Sequence, residues 1–234
     1  LAVGMLVPPD RRADQHLDVG CCGHWLTFLD ADDTWRPGKL QAQLEALAAA
    51  SNVEVLVSPA IWWHEHPDGK PGASDWTQAL GPSASADVVL EPPDLVVDFL
   101  EDEWRSICDL VIGRHVATAV GGYEPLFRGM YEDQAFHAKV LSHHPAVVTS
   151  RSWYRYRQHE SACTATSHRA GAHLAARRRY LRWLARHLDD HPAHDPGGRL
   201  RSVVEAQRRR IRHPRLSRVV RRVRVRFTPA SDEP

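Results

Sequence analysis

The sequence predicts an α/β fold in which a mixed β-sheet is flanked by helices, followed by a helical carboxyl-terminal tail. A short apolar and aromatic run, Trp25–Leu29, ends abruptly at acidic residues, as a buried strand does. Leucines at helical spacing come next, and a second apolar run follows at 53–57. A strand, a helix and a strand in succession form the repeating unit of α/β proteins.

The composition is that of an ordinary globular protein: 234 residues, 43% hydrophobic and 25% charged, with a formal net charge of +1. Because no run of about 18 apolar residues and no charged-then-apolar leader occurs, we expect a cytoplasmic protein that does not span a membrane. The cysteines form no C-x-x-C pair, which favours packed thiols in a reducing compartment. They are Cys21, Cys22, Cys108 and Cys163.

Local signals place the remaining elements in order. Pro37 is expected to open a helix, carried on by apolar residues at i, i+4 and i+7 from Leu40, and Ser51-Asn52 to close it. Gly, Pro, Ser and Asp are dense at 66–93, which predicts a long loop. The other predicted elements are helices at 95–100, 131–141 and 172–188, strands at 107–112, 146–149 and 153–156, and an arginine-rich helical region broken by Pro192, Pro196 and Pro214.

Three carboxylates in four residues follow the first predicted strand: Asp30, Asp32 and Asp33. Hard oxygen ligands grouped in this way suit Mg²⁺ or Mn²⁺, and such a cation can bridge a diphosphate. An acidic turn that caps the following helix would give the same pattern. The spacing alone leaves the metal site and the capping turn both open.

Two further groups of polar residues could take part in chemistry. Glu132 and Asp133 lie in the first turn of a predicted helix, where a carboxylate could accept a proton from a hydroxyl, although the helix dipole also favours acids there. Later in the chain His159 could complete a metal shell, and Arg155 and Arg157 could face phosphate oxygens. The sequence holds 15 histidines, so one imidazole by itself indicates little.

The segments taken together resemble bacterial family 2 glycosyltransferases with the GT-A fold, a Rossmann-like nucleotide-diphospho-sugar transferase fold. The metal-site segment of that family is similar to Phe28-Leu29-Asp30-Ala31-Asp32-Asp33-x-Trp35-x-Pro37-x-Lys39-Leu40-x-x-Gln43. Three later segments continue the resemblance at the family's distances: Gly121-Gly122-Tyr123-Glu124, Tyr131-Glu132-Asp133-Gln134-Ala135-Phe136 and Tyr156-Arg157-Gln158-His159-x-Ser161. Together they cover roughly residues 23–166.

The resemblance implies an enzyme that moves a sugar from a nucleotide-diphosphate donor to an acceptor hydroxyl, with inversion and with Mg²⁺ or Mn²⁺ as cofactor. Asp32 would ligate the cation, and Asp30 would approach the cation or the donor's ribose. His159 would be a late contact to the metal or diphosphate, and Arg157 would bind the donor.

The resemblance also assigns the acceptor side. Asp133 would be the general base, and Glu132 could hold the acceptor hydroxyl. The acceptor is expected to be a saccharide or a lipid-linked saccharide, as in cell-envelope polysaccharide synthesis. Trp62 and Trp63, ahead of the predicted loop, could form an acceptor wall because aromatic rings stack on sugars, but they fit a core position equally well.

The amino terminus departs from the family. Residues 1–23 contain Pro8-Pro9 and Arg11-Arg12 with little periodicity, and they lack the two strand-end turns that hold the donor's base. We therefore expect an irregular remnant at 1–23, a sheet without its amino-terminal part, a catalytic region at 24–168 and an arginine-rich helical extension at 169–234. A fragment without catalytic competence, which would bind donor weakly, remains an alternative.

Two other classes of protein compete with the transferase. A haloacid-dehalogenase-type phosphatase would use Asp30 as nucleophile and Asp32 as acid, but it usually has glycine in place of Asp33 and needs a later lysine. The segment 211–227 predicts a basic amphipathic helix that could lie on an anionic membrane at the inner face, or be a solvated helix. A nucleic-acid-binding module would explain only this tail, so we expect no nucleic acid partner.

Overall fold

A computed structural model describes residues 2–5, 23–64, 75–84, 87–102, 109–213 and 228–229. Within these ranges the strands are β1 (Ala2–Met5), β2 (Trp25–Leu29), β3 (Thr34–Trp35), β4 (Val55–Ser58), β5 (Ala60–Trp63), β6 (Trp76–Thr77), β7 (Val88–Leu90), β8 (Asp109–Gly113), β9 (Ala146–Val148), β10 (Tyr154–Arg157) and β11 (Thr228–Pro229). The helices are α1 (Lys39–Ala49), α2 (Asp94–Leu100), α3 (Arg114–Ala119), α4 (Glu132–Leu141), α5 (Cys163–Arg169), α6 (His173–Asp190), a 3-10 turn (Pro192–His194) and α7 (Arg199–Arg212).

The larger sheet has six strands in the order β1-β2-β8-β4-β9-β7. Its pairs β1–β2 and β4–β9 are parallel, whereas β8 runs antiparallel to both neighbours and β7 runs antiparallel to β9. Parallel and antiparallel pairs in one sheet with helices around it confirm the predicted mixed α/β architecture.

The smaller sheet, in the order β11-β6-β5-β10-β3, continues the larger one. Strand β4 passes into β5 across Pro59, and β9 is followed by β10; both β4–β9 and β5–β10 are parallel pairs. The third crossing from the larger to the smaller sheet is the acidic segment Asp30 to Asp33, between β2 and β3. Three chain crossings therefore meet where the two sheets join.

Side chains that alternate along each strand build apolar layers on both faces of the larger sheet. Val55 and Val57 of β4 belong to the main cluster, which includes side chains of α2, α4, α6 and α7. Leu56, between them, faces a second cluster with Leu47 of α1. The helices of the arginine-rich region thus share the main core, through Tyr180, Leu181, Leu184, Leu188, Leu200 and Val204.

The amino terminus differs from the expected irregular stretch in its first residues. Ala2–Met5 forms a strand that pairs in parallel with β2, with Ala2 opposite Leu26 and Met5 opposite Leu29. Strand β2 is thereby not the edge of the sheet. Residues 6–22 lie outside the described part of the chain.

The predicted loop at 66–93 is wrong for its described residues, which contain β6 and β7. The β-branched pair Val88-Val89 joins the edge of β9, and the ring of Trp76 stacks on Trp62 at 4.7 Å between centroids. The short helices α3 and α5 were not predicted either.

The carboxyl-terminal helix α7 ends at Arg212. His213 is its carboxyl cap, and Pro214 follows, which disfavours helical backbone at the preceding residue. The predicted basic helix at 211–227 therefore starts inside the end of α7, and its remainder at 214–227 lies outside the described residues. No helix among the described residues is long and apolar enough to cross a bilayer.

Candidate active site

The Asp30 to Asp33 segment is a tight turn fastened to strand β10. The N–H of Asp33 donates to the carbonyl of Asp30 (3.1 Å), and the N–H of Asp30 donates to the hydroxyl of Tyr154 (3.1 Å). The buried Asp33 carboxylate accepts the backbone N–H of Arg157 at 2.8 Å. These bonds fix the turn from a strand more than a hundred residues away in the sequence, so Asp33 has a structural role.

Burial accounts for the properties of Asp33. It raises the pKa of the Asp33 carboxyl to about 7, with smaller contributions from Asp30 and Asp32, while the bonds from Arg157 and Tyr154 oppose the rise. The alternative role as a helix cap does not hold, because the amino cap of α1 is Gly38 and no described side chain caps this helix.

Asp32 and His159 are in direct contact. His159 Nε2 lies 2.8 Å from Asp32 Oδ2, and its other ring nitrogen, Nδ1, lies 2.8 Å from the Ser161 hydroxyl. Contacts at both nitrogens orient the imidazole ring. The side chains of Asp32 and His159 keep 44% and 28% of their surface open, so a ligand can reach them.

Glu132 and Asp133, at the start of α4, form the opposite side of the same site. Asp133 Oδ1 accepts the N–H of Gln134 at 2.7 Å, which fixes the carboxylate at the helix amino terminus. Burial raises the pKa of both Glu132 and Asp133, and backbone N–H groups oppose the rise. The two predicted acceptor-side carboxylates thus favour their protonated forms more than free carboxylates do.

Asp30 lies between the two sides. Loss of hydration raises its pKa to about 6, and repulsion from Asp133, Asp32 and then Glu132 adds to the rise. Asp30 is therefore close enough to Asp32, Glu132 and Asp133 to be repelled by all three, although its side chain is exposed to solvent. The structure brings together the acidic residues that the sequence predicted for the site.

Tyr123 belongs to the site, although sequence reasoning gave it no role. Its ring lies stacked on Phe136 (4.8 Å between centroids) and edge-on to Phe28 (5.8 Å). Burial and the neighbouring Asp133 and Asp30 raise the pKa of its hydroxyl above the usual range, so the hydroxyl stays protonated. The only signal in the sequence that could have pointed to Tyr123 was its position in the family-like segment Gly121-Gly122-Tyr123-Glu124.

Arg157 contacts the acidic turn through its backbone, and Trp62 packs among other aromatic rings. The contact that ties Arg157 to the site is its backbone N–H to Asp33, and its side chain is half-buried. Trp62 lies stacked against Trp76 and edge-on to Tyr156, at 4.9 Å between centroids. These contacts among half-buried rings match the core alternative for Trp62.

Lys39 and Gln43, two residues of the metal-site segment, are buried and structural. Lys39 Nζ lies 2.9 Å from Asp109 Oδ1, and donates to Gln43 Oε1 (2.7 Å) and Thr27 Oγ1 (3.1 Å). Burial raises the pKa of Asp109 and lowers that of Lys39, and the attraction between the two charges opposes both shifts. This network joins α1 to β2 and β8 beneath the site, a role that local spacing did not reveal.

The donor set fits a divalent cation held by few protein ligands. Asp32 and Asp30 offer carboxylate oxygens and His159 a nitrogen, a mixture that suits Mn²⁺ and tolerates Mg²⁺. In the part of the chain that the structure describes, no group of three or more His, Cys, Asp or Glu side chains is arranged to hold a metal ion. Cations at diphosphate sites commonly use one or two carboxylates and complete their shell with substrate phosphates.

Comparison with known proteins shows only that the fold of this chain is similar to folds in solved structures. No family model and no curated protein matches the sequence. The fold matches 39 chains of solved structures. One of these is S. aureus TarS 1–349, with a TM-score of 0.47 and 11% sequence identity; the match covers 87% of this chain and 51% of that chain. This chain thus spans about half the length of that match, and a likeness of this degree carries no argument about activity.

Proposed function

We propose that this chain is the catalytic region of a metal-dependent family 2 glycosyltransferase of the GT-A type. It would transfer a sugar, with inversion, from a nucleotide-diphosphate donor to a hydroxyl of a saccharide or lipid-linked acceptor. The observation that carries the proposal is the convergence of Asp30, Asp32, His159, Glu132 and Asp133 at the junction of the two sheets. Carboxyl groups with raised pKa values, gathered in one place, are typical of catalytic sites.

On the donor side, Asp32 and His159 would hold the cation, with Asp30 next to them. The cation would stabilise the charge of the departing nucleoside diphosphate. The turn that carries Asp32 is fixed by the bonds of Asp33 and Tyr154, so the ligand is positioned before substrate arrives.

On the acceptor side, Asp133 would accept the proton of the attacking hydroxyl. Its raised pKa supports this role, because a base whose pKa lies nearer to neutral pH takes up a proton more readily. Glu132 and the protonated hydroxyl of Tyr123 would position the acceptor oxygen. One carboxylate suffices in an inverting reaction, since the acceptor oxygen displaces the leaving group directly.

The phosphatase alternative has less support. Loss of hydration first, and then the neighbouring carboxylates, raise the pKa of Asp30, which disfavours the ionised form that a nucleophile needs. That mechanism also needs a lysine near the phosphate. The lysines in the described ranges have other partners: Lys39 is buried against Asp109, and Lys139 Nζ lies 2.8 Å from Glu124 Oε1. Lys70 lies outside those ranges.

Replacement of Asp32 tests the proposal. Because a metal ligand contributes several kilocalories per mole to stabilising the leaving diphosphate, Asp32→Asn should lower Mn²⁺-dependent transfer or hydrolysis of nucleotide sugars at least about 100-fold. Turnover would be measured across a panel of donors, and Mn²⁺ binding by electron paramagnetic resonance. Glu45→Gln, an exposed change on α1, is the matched control. Retention of the wild-type rate and metal dependence by Asp32→Asn would overturn the assignment.

A further inference from the structure

A cavity of about 210 Å³ lies beside the candidate site, between the segment that precedes α4 and the helices α5 and α6. The cavity holds about seven times the ~30 Å³ that a water molecule occupies in the liquid, enough for a phosphate group and part of its carrier. Its lining includes Phe127, Arg128, Gly129, Cys163, Ser167 and Arg179.

Aromatic contacts fix the wall of this cavity. Phe127 is buried edge-on against Trp183 (5.5 Å) and Tyr180 (6.2 Å), and Tyr131 lies stacked on Tyr180 (4.9 Å). The residues between Phe127 and Tyr131 are thus held at both ends. On the other side, the thiol of Cys163 donates to the carbonyl of Gly129 and joins α5 to the same segment. Contacts within the protein therefore set the position of the cavity wall.

The charge of the cavity is positive and uncompensated. No hydrogen bond or ion pair links the Arg128 or Arg179 guanidinium to any other described residue. Two other arginines of α6 are held by protein groups: Arg177 pairs with Asp102, and Arg178 donates to the carbonyl of Ile211. Among the described residues that line the cavity, none is acidic.

Two guanidinium groups without a partner among the described residues, together with the hydroxyl of Ser167, favour one class of ligand. Guanidinium groups bind phosphate through paired, charge-assisted hydrogen bonds, and Ser167 can donate one more. Both arginines are exposed, so a neutral sugar would gain no charge-assisted hydrogen bond over water, and a cation would be repelled. The chemistry of the lining thus selects a phosphate group.

The location indicates which substrate carries that phosphate. Gly129, in the cavity wall, also has its backbone N–H beside the carboxylate of Glu132, on the acceptor side of the proposed reaction. We propose that this cavity binds a phosphate group carried by the acceptor. This inference rests on the proposed function for the identity of the substrate, and the phosphate-binding cavity can be tested without it.

Cys163 provides a reporter inside the cavity. The full chain would be treated with iodoacetamide in the presence of glycerol 3-phosphate or of glycerol, at matched ionic strength. Peptide mass spectrometry would measure the rate at which Cys163 is alkylated. Glycerol 3-phosphate should slow alkylation of Cys163, because it occupies the cavity, and glycerol should not. Equal rates with and without glycerol 3-phosphate would overturn the proposal.

Matched substitutions link the protection to the arginines. Arg128→Gln and Arg179→Gln should each raise the half-protecting concentration of glycerol 3-phosphate by about tenfold or more, the effect of losing a charge-assisted hydrogen bond. Arg182→Gln, an exposed change on α6 outside the cavity, should leave it unchanged. Circular dichroism melting confirms that each variant is folded. Protection that survives both cavity substitutions would contradict the assignment.

A further pair of measurements separates acceptor phosphate from donor diphosphate. In a transfer assay, Arg128→Gln should raise KM for a phosphorylated acceptor about tenfold, leave kcat unchanged, and leave both constants unchanged for the dephosphorylated form. If a nucleoside diphosphate with Mn²⁺ protects Cys163 in an Arg128-dependent manner, the cavity serves the donor and the acceptor assignment fails. The alkylation assay needs no turnover, so its failure and the failure of Asp32→Asn are separate results.

Discussion

Asp32 and Asp33 are adjacent residues of one acidic turn, and their environments give them different roles. Asp33 points inward, is 7% exposed and binds the backbone of Arg157. Asp32 points outward to His159 and stays accessible. A motif of repeated carboxylates therefore contains a structural member and a ligand, and only the tertiary contacts distinguish them.

Asp133 should be the proton acceptor, and its replacement separates catalysis from donor binding. Asp133→Asn removes the base and should lower kcat by about 100-fold to 10,000-fold, with donor affinity nearly unchanged. Calorimetric titration of the donor and steady-state rates would measure both quantities, with the exposed Glu205→Gln on α7 as control. A collapse of donor affinity in Asp133→Asn would instead place this residue in the donor site.

Loss of hydration and repulsion at Asp30 predict a dependence of stability on pH. The pKa of Asp30 is raised from 3.8 to about 6, so between these values the folded state keeps a proton that the unfolded state has lost. Stability from this group is therefore present below pH 3.8 and is lost as the pH rises through about 6. Asp30→Asn should melt at a higher temperature than wild type at pH 8 in EDTA, by a margin that shrinks at pH 5. If the melting temperature of Asp30→Asn at pH 8 is no higher than that of the control Glu45→Gln, the prediction is contradicted.

At the scale of elements, five imidazoles gather where α4 and α6 end. His187 Nε2 lies 3.3 Å from His194 Nδ1, and the Ser142 hydroxyl lies 3.2 Å from the same nitrogen. His191 stacks on His187, and His143 on His194. The cluster consists of His143, His144, His187, His191 and His194, with Lys139 and Glu124 as the charged groups nearest to His187.

The cluster should make the attachment of α6 sensitive to acid. Burial first, then the neighbouring imidazoles, lower the pKa of His187 and His194 from 6.5 to about 4, so the unfolded state binds protons more readily. Stability from these groups is present above pH 6.5 and is lost as the pH falls toward 4. Urea unfolding at pH 7.5 and at pH 5 would measure the free energy of unfolding. The wild type should lose free energy of unfolding between pH 7.5 and pH 5, and His187→Gln should lose less. The exposed His213→Gln is the control; an equal loss in all three chains would refute the mechanism.

The elements that the sequence predicted correctly are those with a hydrophobic pattern within their own residues. Strand β2 and helices α1, α4 and α6 have apolar runs or apolar faces that periodicity detects. Helix α5 has no buried residue and α3 has six residues, so neither leaves an apolar pattern to find. The family resemblance suggested that Asp32 and His159 belong to one site, and the structure shows them in contact. The pairing of Lys39 with Asp109 is visible only in the folded chain.

At the scale of the whole molecule, one apolar cluster joins the larger sheet to the carboxyl-terminal helices. The predicted boundary near residue 169 is therefore crossed by a common core. Arg177 adds a polar link, with bonds to the carbonyl of Leu100 and to the side chain of Gln207. Removal of core contacts in α6 should weaken the sheet as well.

Leu184→Ala tests this shared core. Leu184 is fully buried, so the change should reduce the free energy of unfolding by about 2–5 kcal/mol. Far-ultraviolet circular dichroism and tryptophan fluorescence should give one coincident urea transition, shifted as a whole. Leu174→Ala, on the same helix but 39% exposed, should have little effect. Two separate transitions, with only one of them shifted, would show that the helices fold independently of the sheet.

The bonds that fasten the acidic turn also set when the site can form. Asp30 and Asp33 bind partners 124 positions later, and Asp32 meets His159 after 127 positions. Closing so long a loop is entropically costly, and contacts of this range form late in folding. A chain emerging from the ribosome can complete β2 and α1 early, but the turn stays unfastened until β10 has been made. Asp32 therefore meets His159, and the site is complete, only when the chain through β10 is present to hold the turn.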